Sequence, residues 1–205
     1  MRRLVALLCL LAAGCISGSN VPSPQYYLLT DSGRPPEARH ASAGGRVLLV
    51  HPTSVNAFYD TQRLVYSRAP GERAYYQFAA WTERPGRAFA ELLSRRLDAP
   101  LTTAGVRGDL ILRTRLDELY HDASSAPGRV TIEVSAELVD AAGRRLGDGR
   151  RFTRSVPTRA ENAAAAVEAA NRAVTEVLDD IAAWCDRAAR EERPTASTVS
   201  LLFRP

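Results

Sequence analysis

Residues 110–120 alternate between apolar and polar, with Leu110, Leu112, Thr114, Leu116 and Tyr120 set against Arg113, Arg115 and Asp117. A period of two means a strand with one face buried and the other wet. Val130, Ile132, Val134, Ala136 and Leu138 repeat the pattern against Thr131, Glu133 and Glu137. Asp140-Ala-Ala-Gly143 then has the composition of a hairpin turn, and residues 152–156 read as the returning strand. Nearer the N-terminus, residues 26–30 have strand composition, and residues 46–50 (Arg-Val-Leu-Leu-Val) form a short apolar run that Pro52 ends. Residues 62–67 and 74–81 are two further strands around the turn signal Ala69-Pro70-Gly71, which predicts a hairpin.

The period lengthens to that of a helix in two places. Phe89, Leu92, Leu93 and Leu97 share one face, with Thr82 as the expected cap, Pro85 in the first turn and Glu91 with Arg95 as an i, i+4 pair. Thr158-Arg-Ala-Glu161 has the spacing of a capping box, and Val167, Ala170, Val174, Val177, Leu178, Ile181 and Trp184 trace the stripe of the longest element. One-sided strands and one-striped helices must bury their apolar faces against each other. They predict an α/β (α+β) domain: a single mixed or antiparallel β-sheet with two helices packed on it.

One stretch has no alternation at all. Met1-Arg2-Arg3 precedes an apolar run over residues 4–13, and Leu11-Ala12-Ala13-Gly14-Cys15 sets small residues before a cysteine. About 10 apolar residues span roughly 15 Å as a helix, half of a bilayer core, which suits export and cleavage better than permanent spanning. The segment resembles the lipobox of bacterial lipoproteins, with Ala12 where leucine is most frequent. That resemblance implies a signal peptide over residues 1–14 and a diacylglycerol on the Cys15 thiol, with the new amine also acylated. Ile16 follows where an inner-membrane retention aspartate would stand, so the implied address is the periplasmic face of the outer membrane. Residues 15–25, small and proline-punctuated, make a lipidated N-terminus and tether; residues 26–190 are the domain. Residues 191–205 read as a disordered tail in which residues 199–203 could add to a sheet edge.

Length admits one domain with a real core. All 27 basic residues are arginine, and they are interspersed with acids rather than gathered in blocks. This reads as a compositional habit, and with no basic stripe a nucleic-acid partner is set aside. Cys185 would be the one thiol left in a mature exported chain; its helical position beside Ile181 and Leu178 makes it a small buried hydrophobe, with an intermolecular disulfide as the alternative. His40, His51 and His121 have no metal-binding spacing, and Gly147-Asp-Gly149 lacks the third glycine and the strand-to-helix context of a dinucleotide motif. No phosphate loop or nucleophile elbow is present, so enzymatic activity has no sequence support. Asp179 and Asp180 diverge on a helix and read as solvated charges.

Residues 26–28 (Tyr-Tyr-Leu) soon after the lipobox, a strand over residues 47–50, Leu64-Val65-Tyr66, aromatics leading to Trp81 and a Pro85 helix directly after it occur in a telling order. The order resembles the ABC-type transport auxiliary lipoproteins, a family that includes paraquat-inducible protein C, over residues 26–188. The resemblance implies a non-enzymatic docking component for an ABC transporter permease and ATPase and an MCE-domain protein, which together move phospholipid between the two membranes. It implies no cofactor beyond the covalent lipid on Cys15. Homo-oligomerisation is a further expectation, because a lone small domain offers little surface to a transporter. Tyr66, Tyr75, Tyr76 and Trp81 are candidate partner or lipid contacts, with packing in the core under the helices as the alternative, favoured for Trp81; alternation puts Tyr76 and Phe78 on one face and Tyr75 and Trp81 on the other. The competing function is a lipid-anchored assembly factor for an outer-membrane barrel or for lipopolysaccharide insertion.

Overall fold

The longest alternating segment forms the axis of the sheet. The structure is a computed structural model that describes residues 23–33, 42–43 and 46–191. In chain order it contains β1 (Gln25–Tyr27), β2 (Ser42–Ala43), β3 (Arg46–Val50), β4 (Ser54–Val55), β5 (Arg63–Ser67), β6 (Ala74–Trp81), α1 (Pro85–Leu97), β7 (Leu110–Asp122), β8 (Arg129–Asp140), β9 (Arg145–Pro157) and α2 (Ala163–Glu191). Cys15, the signal segment, His40 and residues 192–205 lie outside the described residues.

One edge of β7 pairs antiparallel with β8, and β8 with β9. The other edge is long enough to take three short strands in succession. Leu48 opposes Leu110, Ser54 opposes Arg115 and Tyr66 opposes His121, all parallel. β6 extends the sheet antiparallel to β5, and β1 lies parallel to β6. The sheet is mixed, and both helices cover one of its faces, as the sequence predicts.

Leu110, Leu112 and Leu116 of β7, with Val130, Ile132 and Val134 of β8, point at the helices. Phe89, Leu93 and Leu97 of α1 and Val174, Leu178 and Ile181 of α2 complete that core, and all of these side chains are buried. Gly86 lets the start of α1 sit close to the sheet, since a Cβ there would come within 2.2 Å of the Val55 Cγ2. The 3-10 turn Thr102–Ala104 connects α1 towards β7.

Four local expectations are corrected. Helix α1 is not capped by Thr82: Arg84 holds the N-cap position without a side-chain hydrogen bond, and Pro85 needs no donor partner there. The Thr82 N–H instead donates to the Tyr27 carbonyl and closes β1 against the end of β6. Helix α2 is capped by Asn162, whose Oδ1 accepts the Ala165 N–H at 2.9 Å. Thr158, the expected capping residue, is buried, and its hydroxyl donates to the Pro127 carbonyl. Glu91 pairs with Arg87 rather than with Arg95. The returning strand is also longer than residues 152–156, because the polar run from Arg145 onward pairs with β8 as an edge strand.

Candidate functional site

The face of the sheet turned away from the helices carries the polar half of each alternating strand. Register collects its side chains into cross-strand rows. Arg115 opposes Ser135, which opposes Arg151; Arg113 opposes Glu137 in the next row. These rows, with Arg145, Gly149 and Arg150 of β9 and His51, Pro52 and Ser54 beside β7, line a groove of about 710 Å³. Four guanidinium groups, those of Arg113, Arg115, Arg145 and Arg151, stand on this face around the Glu137 carboxylate, with Glu133 and Asp117 beside them.

The arginine ends of the ion pairs in the groove are exposed, and one of the acids is shared. Glu137 takes Arg145 at 2.6 Å and Arg113 at 3.6 Å, so one carboxylate serves two cations. Arg151 lies 3.2 Å from Glu133. Arg115 reaches Asp117 at 2.5 Å, and the buried Asp117 carboxylate also accepts the Ser135 hydroxyl. Arg150, opposite Ala136 of the core, turns to the helix side of β9, where its guanidinium lies 5.5 Å from the centre of the Phe152 ring. Exposed pairs of this kind contribute roughly 0–1 kcal/mol, so another anion can replace them at small cost.

Farther along β7 the same face turns aromatic. The Phe58 and Tyr75 rings stack at 4.9 Å with Arg63 above Tyr75 at 4.2 Å. Arg73 lies 3.7 Å over the Tyr120 ring, pairs with Glu118 at 3.4 Å and donates to the Tyr59 hydroxyl at 3.0 Å. Burial pushes the Tyr59 phenol above its usual pKa despite that hydrogen bond. Phe58 is 37% exposed, an apolar ring open to solvent at the edge of this cluster.

The sequence-predicted contacts divide between the two faces. Tyr75 alone lies with the aromatic cluster on the open side. Trp81 is 5% exposed and belongs to the core, with Tyr76 packed against it. The pairing of β5 with β6 shifts between Arg63 and Val65, from Arg63 opposite Ala80 to Val65 opposite Tyr75. That irregularity changes the phase of β6, so Tyr76 and Trp81 share a face that strict alternation denies them. Tyr66 meets Tyr76 at 5.0 Å between ring centroids, and the Tyr76 hydroxyl lies 2.7 Å from His121 Nδ1. His121 is 2% exposed and its Nε2 has no hydrogen-bond partner. Burial holds its pKa below the ordinary histidine value, against the pull of Asp122 and Glu161.

A third cluster fixes the segment that enters the fold. Buried Arg96 of α1 binds Asp31 and Asp179, and the N–H groups of Thr30 and Ser32 donate to Asn171 and Thr175 of α2 at 3.0 Å each. Burial alone would raise the Asp31 pKa; hydrogen bonds from Arg96, the Gly33 N–H and Thr175 outweigh it and hold the carboxyl below its usual range. Asp179 and Asp180 are therefore paired, the second with Arg154 of β9. Cys185 is a free, buried thiol pushed up to about 12, which removes its reactivity at neutral pH. Among the described residues no group of three or more side chains could hold a metal ion, and no helix is long and apolar enough to cross a membrane.

Residues 144–154 hold five arginines and one aspartate, but the chain order does not show which of them face the β7 arginines. Their signal was the wet phase of the strands: Arg113 and Arg115 occupy it on β7, and the β8–β9 register brings Arg151 alongside.

The fold has solved counterparts. Protein XCC0632 of Xanthomonas campestris, assigned to the DUF330 family, is 22% identical and matches 82% of this chain and 98% of its own with a TM-score of 0.72. An uncharacterized protein is 15% identical over 79% of this chain and 98% of its own, with a TM-score of 0.62. At these identities the likeness is one of fold. No curated protein matches the chain. The family of ABC-type transport auxiliary lipoprotein components matches residues 27–182, from the end of β1 to the last turns of α2. This chain belongs to that family, the ABC-type transport auxiliary lipoproteins.

Proposed function

We propose that this protein is a non-enzymatic outer-membrane lipoprotein that docks an MCE-type ABC transport system moving phospholipid between the inner and outer membranes. Family membership across nearly the whole domain carries the reading, since it makes the chain a transport component. The lipobox-like segment ending at Cys15 supports a lipid anchor, and the apolar run ahead of it supports export. A component without its own nucleotide motif draws energy from an ATPase elsewhere and contributes binding. The open face of the sheet is the surface best suited to that work, because its charged and aromatic side chains are already displayed on a rigid element.

The test is copurification. The full-length protein, tagged at its C-terminal tail and extracted in mild detergent, should bring an MCE-domain protein and the transporter permease with it. Deletion of the gene should reproduce loss of that transporter. Capture of an outer-membrane barrel-assembly component in their place would overturn the reading.

A further inference from the structure

We propose that the arginine groove on the open sheet face binds the phosphate of a glycerophospholipid headgroup. The proposal deepens the transport reading above and rests on it for the choice of a lipid over other phosphate carriers. Its geometric basis is independent of that choice. Arg113 and Arg115 come from β7, and Arg145 and Arg151 from β9, with β8 between them, so the groups converge from both sides of one strand. Planar guanidinium forks match phosphate oxygens in bidentate geometry, which a lysine surface does not. The groove volume of about 710 Å³ lies in the range of small-molecule sites and suits a headgroup with its glycerol.

Charge balance says that the groove is short of anions. Arg115 and Arg151 each have a carboxylate, Asp117 and Glu133, but Arg113 and Arg145 share the single carboxylate of Glu137, so four cations meet three anions. One phosphodiester would satisfy the donors left over. The pairs that must rearrange are those of Arg113 and Arg145 with Glu137, whose guanidiniums are solvent-exposed, so the rearrangement costs little. Glu137 itself shows the placement, since its carboxylate meets guanidiniums of two strands, one at each oxygen. Farther along the same face, the exposed Phe58 ring and its stack with Tyr75 offer apolar surface on the side where the tails of a lipid, but not of inorganic phosphate, would gain contact.

The experiment uses the full-length protein in a neutral detergent, titrated separately with dihexanoyl phosphatidylglycerol and inorganic phosphate and followed by protein NMR or native mass spectrometry. Saturable one-to-one binding of the phosphatidylglycerol is expected, weakened at least tenfold in Arg113→Gln/Arg145→Gln and unchanged in Arg87→Gln on α1. Inorganic phosphate should bind at least tenfold more weakly than the lipid. Equal affinity for phosphate and lipid, or equal lipid affinity in the double variant and the wild type, would overturn the proposal. Preference for an acidic peptide over the lipid in competition would do the same and mark the groove as a protein-docking surface. A variant-free measurement guards against misfolding: a photoactivatable headgroup on the wild-type protein should label peptides containing residues 113–115 and 145–151, and labelling confined to the helix face counts against the site. Because no transporter is present in these assays, a negative result leaves the copurification outcome standing, and failed copurification leaves the groove's binding intact.

Discussion

His121 is the residue whose environment departs furthest from what its position in the sequence suggests. It ends an alternating strand, yet the shift in β7–β8 pairing between Leu116 and Glu118 turns it towards the helices. There its Nδ1 meets the Tyr76 hydroxyl, while Nε2 faces Gly128 so closely that a Cβ at that glycine would lie 2.7 Å away. Neutral imidazole suits this site; imidazolium would be buried with an unsatisfied donor. Its depressed folded pKa means that the unfolded chain binds a proton first as pH falls. The stabilisation is therefore complete above the unfolded value of about 6.5 and is lost as pH drops from there through the lower folded value. The thermal midpoint of the wild type should fall between pH 7.5 and 5.5, and His121→Gln, which cannot titrate, should fall less over the same interval. Equal falls in both proteins would show that another group governs the slope. Neither the bulge nor the partner of His121 can be read from residue order, because both depend on cross-strand pairing. The arginine excess of residues 144–154 is visible in the sequence, but only cross-strand register sets Arg145 and Arg151 on the same face as Arg113 and Arg115.

At the scale of elements, the positions that carry periodicity were legible and the positions that end elements were not. Every stripe residue from Val167 to Trp184 is buried, as are Phe89, Leu92, Leu93 and Leu97. Burial of a repeated face follows from period alone. Caps depend on one hydrogen bond each, and several oxygen-bearing side chains compete for it. Thr158 satisfied the local pattern but was taken by the Pro127 carbonyl, which left Asn162 to cap α2. The β6 aromatics show the other failure, a register irregularity that inverts alternation and places Tyr76 beside Trp81. Since α2 holds the largest apolar stripe and its Leu178 and Ile181 are fully buried, its packing dominates the core. Leu178→Ala or Ile181→Ala should each cost about 2–5 kcal/mol in denaturant unfolding, with little change in slope. Wild-type stability in both variants would mean that the α2 face is not the seam of the fold.

At the scale of the molecule, the fold is fastened independently of the membrane. Asp31 and the backbone of Thr30 and Ser32 lock the entering segment onto α1 and α2 through Arg96, Asp179, Asn171 and Thr175, all of them downstream of Cys15. Between Cys15 and β1 lie residues 16–24, a reach of at most about 30 Å when extended. A lipid at Cys15 would thus set where the domain stands without contributing to its stability, and the two properties separate in one substitution. Cys15→Ala should leave the thermal midpoint of the domain unchanged. It should also move the protein from the membrane fraction to the soluble fraction on cell fractionation, because two or more acyl chains anchor stably and none remains in the variant. Mass spectrometry of the wild type should find a lipid-modified peptide that begins at Cys15. An unmodified Cys15, a mature start elsewhere, or a Cys15→Ala protein that stays with the membrane would remove the anchor. The case for docking beneath the outer membrane would fall with it, while the family assignment, which begins at residue 27, would remain.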